Sequence, residues 1–122
     1  MKKILLAEDE EVLRMLIVDT MEDEGYEIDE AVDGKEALEK IEQADYDLLI
    51  LDYMMPQVTG LEVIESIRKN PLKKDVKILM LSAKNQQSEQ DKILDLGADY
   101  FMSKPFSPLA LLEKVEEIIN EN

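Results

Sequence analysis

With neither His nor Cys in the chain, its reactive groups are carboxylates, lysines, hydroxyls and the backbone. Imidazole catalysis, Ser-His-Asp triads, disulfides and thiolate metal sites are therefore excluded. Five candidates share one kind of position, the end of a short apolar run. Glu8 and Asp9 follow Ile4-Leu5-Leu6-Ala7, and Asp52 closes Asp47-Leu48-Leu49-Ile50-Leu51. Ser82 follows residues 76–81, and Lys104 comes just after Tyr100-Phe101-Met102. Three carboxylates brought together cannot all stay ionised without positive charge among them. Three acids and Lys104 sum to −2, which one divalent cation would cancel. Oxygen ligands alone favour Mg²⁺, with Mn²⁺ the alternative, and such a site suits the handling of phosphate. A phosphoryl group on Asp52 would have its charge met by the cation and Lys104, and could accept a hydrogen bond from Ser82.

Each residue also has a plainer explanation. Glu8 and Asp9 could start an acidic helix N-terminus. Asp52 and Ser82 could be turn or cap residues, and Lys104 a solvated lysine. Only their convergence at one place favours chemistry, so the elements that position them decide.

Apolar runs over residues 4–7, 47–52 and 76–81 read as strands, the middle one buried on both faces. Residues 26–31 and 100–102 give two weaker strands. Between them the apolar spacing is helical. Leu13, Leu16, Ile17 and Met21 lie in residues 11–24, with Gly25 as the stop. Ala37, Leu38 and Ile41 follow the Asp33-Gly34 turn, with Asp33 a candidate cap. Val63, Ile64 and Ile67 precede Asn70-Pro71, and Ile93, Leu94 and Leu96 precede Gly97. Residues 53–60 and the polar stretch 84–88 read as loops. Ser107-Pro108 opens a last helix carrying Leu111, Leu112, Val115, Ile118 and Ile119. Strand then helix, five times over, implies an α/β doubly wound, three-layer sandwich on a parallel sheet. In such sheets ligands bind beyond the C-terminal strand ends, where the strand order reverses. All five candidates fall at that edge.

The chain is long enough for one domain with a real core, and 45% apolar residues support a globular fold. Its 29 acids against 14 bases, a net charge of −15, argue against nucleic-acid and anionic-membrane surfaces. The first apolar run is too short and too acidic in its sequel for a signal peptide or membrane span. A cytoplasmic location is the default.

The chain resembles the receiver domains of two-component response regulators, typified by the chemotaxis receiver, over residues 2–119. The likeness rests on Leu6-Ala7-Glu8-Asp9-Glu10, Leu51-Asp52-Tyr53-Met54-Met55-Pro56, Gly60, Leu81-Ser82-Ala83 and Lys104-Pro105-Phe106. The resemblance implies a single flavodoxin-like (βα)5 domain over residues 1–122, with strand order 2-1-3-4-5. It implies that Asp52 is the phosphoacceptor, with Asp9, Asp52 and the Met54 carbonyl on Mg²⁺ and Glu8 assisting. Ser82 would be the switch hydroxyl, Lys104 the phosphate-binding lysine and Phe101 the switch aromatic, or else a plain core residue. The Lys104–Pro105 peptide would be cis.

A sensor histidine kinase or a histidine phosphotransfer protein would donate the phosphoryl group. It would dock on the first helix, near Met15, and on the loop holding Pro105. The fourth helix, fifth strand and fifth helix would carry the output to a downstream protein, the chain being a monomer or a phosphorylation-dependent dimer. Both a stand-alone receiver and the receiver part of a larger regulator fit. Catalysis would be limited to the domain's own phosphorylation and dephosphorylation.

Two positions depart from the family's common pattern, and two variable positions bear on phosphate loss. Glu8 stands where two adjacent Asp residues are frequent, and Thr59, a candidate helix cap, stands where an Asp commonly precedes the Gly. Met54 and Lys84 offer no carboxylate or amide to orient water, so slow self-dephosphorylation is expected. A flavodoxin-like cofactor binder would need a Gly/Ser/Thr-rich loop in place of Glu8-Asp9-Glu10-Glu11. A phosphohydrolase would usually carry a second Asp at the place of Met54.

Overall fold

A computed structural model describes residues 2–83 and 87–120. Strands and helices alternate: β1 (Lys3–Ala7), α1 (Glu11–Asp23), β2 (Glu27–Ala31), α2 (Gly34–Gln43), β3 (Leu48–Asp52), α3 (Gly60–Lys69), β4 (Lys77–Ser82), α4 (Gln87–Asp95), β5 (Tyr100–Ser103) and α5 (Pro108–Ile119). All strand pairs are parallel and the order is β2-β1-β3-β4-β5, as the resemblance implies.

Strand geometry sends alternate side chains to opposite faces, so each central strand feeds two cores. Leu49 and Leu51 of β3 join Ile41, Val63, Ile64, Ile67 and Ile93, beneath α2, α3 and α4. Leu48 and Ile50 join Ile17, Met21, Leu111, Val115 and Ile118, beneath α1 and α5. Every residue of β3 is buried, which explains its unbroken apolar run. Truncating Leu51 to Ala would remove about 2–5 kcal/mol. β2, by contrast, is an edge strand whose exposed acids discourage pairing with another chain.

Helix starts follow their caps. Asp33 accepts from Glu36 N at 2.8 Å, and Ser107 accepts from Ala110 N at 3.0 Å ahead of Pro108. Thr59 and Glu62 form a reciprocal capping box that opens α3, so Thr59 caps as expected.

Three expectations shift. Leu16, expected in the core, is half exposed, while Val18 packs inward beside Ile17. The stretch 84–88, expected as loop, already contains the start of α4 at Gln87 and Ser88. Residues 84–86, including Lys84, lie outside the described residues. Ser82 is the last residue of β4 rather than the first beyond it, because it still pairs with Ser103.

Candidate functional site

The sheet order places the reversal between β1 and β3, whose connections leave in opposite directions. A crevice opens there at the C-terminal strand ends. Side-chain alternation then decides what enters it. Glu8 continues the parity of Ile4 and Leu6, and Asp52 that of Leu48 and Ile50, so both lean toward the α1 and α5 side. Lys104 leaves β5 in step with Tyr100 and Met102 and reaches the same side. Its Nζ donates to Glu8 Oε1 at 2.9 Å and lies 3.2 Å from Asp52 Oδ1.

Glu8 is fully buried, and Asp52 is only 5% exposed. The other Glu8 oxygen accepts from Glu10 N at 3.1 Å. Asp9 is exposed at the mouth, and one carboxylate oxygen from each of Glu8, Asp9 and Asp52 lies within 4.8 Å of the others. Backbone bonds fix the frame. Tyr53 N donates to Leu81 O at 2.8 Å, Lys104 N to Ser82 O at 2.8 Å, and Gly60 N to Tyr53 O at 3.1 Å. Gly60 is obligatory for this turn, since a Cβ there would sit 2.7 Å from the Asp52 carbonyl oxygen.

The electrostatics are unbalanced. Burial, then the neighbouring Glu8, push the Asp52 carboxyl up to about 7, although Lys104 opposes both. Burial would lower the Lys104 ammonium, but its bonds to Glu8 and the charges of Asp52 and Glu8 outweigh that and hold it above its usual value. One lysine therefore does not neutralise the pocket. Three oxygen donors within one ion's reach and a surplus of buried negative charge fit a hard divalent cation. Among the described residues this is the one acidic cluster with such spacing.

Ser82 and Phe101 lie toward the other face of the sheet. Ser82 shares the parity of Ile78 and Met80, on the α2–α4 face, and Phe101 packs against that same core. Ser82 is buried at the β4 end, one residue past the partner of Asp52. Met54 follows in the β3–α3 loop with its side chain exposed. The Lys104–Pro105 peptide is cis. Beside the acids, a groove of about 400 Å³ is lined by Glu10, Leu13, Ala83, Lys104, Pro105 and Phe106.

Sequence reasoning passed over Arg14. Its Nη1 donates to the Glu8 carbonyl at 2.9 Å and its Nε to Glu30 Oε1 at 3.2 Å. No pattern marks an arginine in an acidic first turn as part of a site, and only its reach reveals it.

Known proteins share this fold and sequence pattern. The response regulator receiver domain family model matches residues 4–116. The chain is similar to the alkaline phosphatase synthesis transcriptional regulatory protein PhoP of Bacillus subtilis (strain 168). Identity is 40% over 121 residues, covering 99% of this chain and 50% of that protein. It is also 38% identical to the phosphate regulon transcriptional regulatory protein PhoB of Rhizobium meliloti (strain 1021), over 96% of this chain and 52% of that one. The chain thus spans about half the length of these curated relatives. Among solved structures, Vibrio cholerae chemotaxis response regulator CheY4 superposes with a TM-score of 0.92 at 34% identity, covering 97% of this chain and 98% of that chain. Thermotoga maritima TrrA, solved in complex with Mg²⁺-BeF, gives a TM-score of 0.83 at 42% identity, covering 97% and 99%.

Proposed function

The chain belongs to the response-regulator receiver family of two-component signalling systems, and from that premise we propose that residues 1–122 form one receiver domain phosphorylated on Asp52. The observation that carries this assignment is the surplus of buried negative charge at Asp52, which Lys104 alone does not cancel.

Glu8, Asp9, Asp52 and the Met54 carbonyl would hold Mg²⁺, with Glu8 the assisting member. Bound there, the ion supplies positive charge that holds Asp52 ionised and offsets charge on an incoming phosphoryl group. Deprotonated Asp52 attacks the phosphorus of a phosphohistidine. A P–O bond forms, the P–N bond breaks, and its electron pair returns to the imidazole of the donor, which takes up a proton. The Lys104 ammonium neutralises the phosphoryl oxygens, and the Ser82 hydroxyl donates to one of them.

Ser82 and Phe101 share the α4 side of the sheet, so a Ser82 drawn toward the phosphate makes room for the ring. That movement biases a two-state equilibrium of the α4–β5–α5 face, which passes the signal to a downstream protein. The phosphoryl donor is a sensor histidine kinase or a histidine phosphotransfer protein. The outward apolar residues Val12 and Met15 of α1, together with the groove at Pro105 and Phe106, support its docking there.

The acidic charge speaks against direct nucleic-acid contact by this chain. No helix among the described residues is long and apolar enough to cross a membrane, which suits action in the cytoplasm. Catalysis extends only to the domain's own phosphorylation and a slow hydrolysis, since the exposed Met54 side chain cannot orient water. Intact-mass spectrometry after incubation with acetyl phosphate and Mg²⁺ tests this reading. Wild type gains one phosphoryl group, and Asp52→Asn gains none. Equal uptake by the variant, or none by wild type, would overturn it.

A further inference from the structure

Arg14 is a cation in the first turn of α1, where the helix dipole favours anions. It also stands beside a pocket proposed to attract Mg²⁺, which a positive charge repels. Toward that pocket its contacts are geometric rather than electrostatic in sense. A helical side chain runs back toward the N-terminus of its helix, and the Arg14 guanidinium does so to meet the β1–α1 turn. Nη1 donates to the Glu8 carbonyl at 2.9 Å. Nε donates to Glu30 Oε1 of β2 at 3.2 Å, and the Arg14 side chain is only 13% exposed.

The other side of the same residue is tied as well, because Glu8 N donates to Ala31 O at 3.1 Å. Glu8 thus has both backbone groups fixed, its N–H by β2 and its C=O by α1. The Glu8–Asp9 peptide plane is set in consequence, and with it the point from which the Asp9 side chain departs. Asp9 is exposed at the mouth of the pocket, and its placement follows that plane.

We infer that Arg14 is a positioning residue for the acidic pocket: braced by Glu30, it holds the Glu8 carbonyl so that Asp9 is aimed at the cation. The inference rests on the receiver reading of the pocket and concerns how the chain builds it. Electrostatics and positioning make opposite demands, which gives the test its edge. Removing the Arg14 charge should tighten Mg²⁺ if charge alone matters, and weaken it if Arg14 aims Asp9.

Calorimetric titration of the full chain with Mg²⁺ reads the sign directly. Arg14→Gln is expected to weaken Mg²⁺ about tenfold, the lower end of what losing a ligand's supporting contact does. Arg14→Lys, which keeps a donor, should recover part of that loss. Glu30→Gln, an exposed change that leaves the fold intact, should weaken Mg²⁺ by roughly two- to threefold, since its amide oxygen still accepts from Nε but without the charge that strengthens the brace. Thermal melts in chelator report stability separately, and a merely structural role would lower the melting temperature without moving the affinity.

Unchanged or tighter Mg²⁺ binding in Arg14→Gln overturns the inference. Should that variant not fold, unchanged affinity in Glu30→Gln does so instead. Wild type and Asp9→Asn keep the two failures apart. A wild type that takes up no Mg²⁺, or an Asp9→Asn that binds as well as wild type, overturns the receiver reading of the pocket and this inference with it. If those controls behave, only the role of Arg14 is at stake.

Discussion

The two ends of the sheet handle the same residue types in opposite ways. At the N-terminal ends of the strands, the acids are exposed and matched by half-buried cations. Lys73 Nζ lies 2.6 Å from Asp45 and donates to the Ala44 carbonyl at 3.0 Å, and its bond and charge hold Asp45 below the usual carboxylate range. Arg68 donates to the Gly97 carbonyl at 2.7 Å, the Val76 carbonyl at 2.8 Å and Asp99 at 2.8 Å, joining α3 to the starts of β4 and β5. At the C-terminal ends, charges are buried and mismatched, and Asp52 is pushed the other way, up to about 7. A partner for every charge marks structure. Buried charge in excess of its partners marks a place left for a ligand.

Substitutions at the two ends can break that contrast, and the largest effect is expected at Asp52. Asp52→Asn should cut phosphoryl uptake from acetyl phosphate by more than about a hundredfold, since it removes the attacking oxygen. Next comes Lys104→Met. Phosphoryl uptake, followed by mass spectrometry, should fall by roughly a hundredfold. In chelator the fold should lose about 3 kcal/mol by denaturant titration, because Glu8 and Asp52 remain buried without their cation. Adding Asp52→Asn to Lys104→Met should return much of that stability, and a strictly additive pair would contradict the coupling.

The pH dependence of the metal-free chain comes third. Asp52 binds its proton more tightly folded than unfolded. Its contribution to stability is therefore complete below its ordinary value near 4 and is lost as pH rises through about 7. Asn cannot lose it. Asp52→Asn should gain on wild type between pH 5 and pH 8, by at most about 3 kcal/mol, since the folded carboxyl titrates at about 7. Mg²⁺ should narrow the gap. A gap that shrinks with pH in chelator would show that the carboxyl is not strained by its surroundings.

At the matched end the effects are smaller and confined to stability. Arg68→Ala strands the carbonyls of Lys74, Val76 and Gly97 and should cost about 2 kcal/mol in chemical denaturation, with phosphoryl uptake intact. Asp45→Asn should shift neither the melting temperature nor the uptake measurably, as befits an exposed ion pair.

Much of this contrast is legible in the residues. Unbroken apolar runs betray β1, β3 and β4, because strands buried on both faces leave no polar alternation. The acids and Ser82 stand where those runs stop, Lys104 stands just past the weaker β5, and parallel topology alone sends them to one edge. Less legible is α1, whose outward Val12, Met15 and Leu16 are as apolar as its inward face. Periodicity then leaves the helix rotation undecided, and Leu16 was expected on the wrong side. The start of α4 is masked for a related reason. Only Ile93 of that helix is fully buried, so Gln87 and Ser88 carry no apolar signal. Arg14 and Arg68 act through long side chains on distant backbone carbonyls, and one-dimensional spacing does not record reach.

The most direct test of the central claim is to locate the phosphoryl group itself. Borohydride reduces an acyl phosphate, turning the aspartate that carried it into homoserine, and peptide sequencing by tandem mass spectrometry then finds the position. After treatment with acetyl phosphate and Mg²⁺, homoserine is expected at position 52 alone, with Asp9 and Asp45 unchanged. Homoserine at another position, or an unreduced Asp52 in chain that has gained a phosphoryl group, would contradict it.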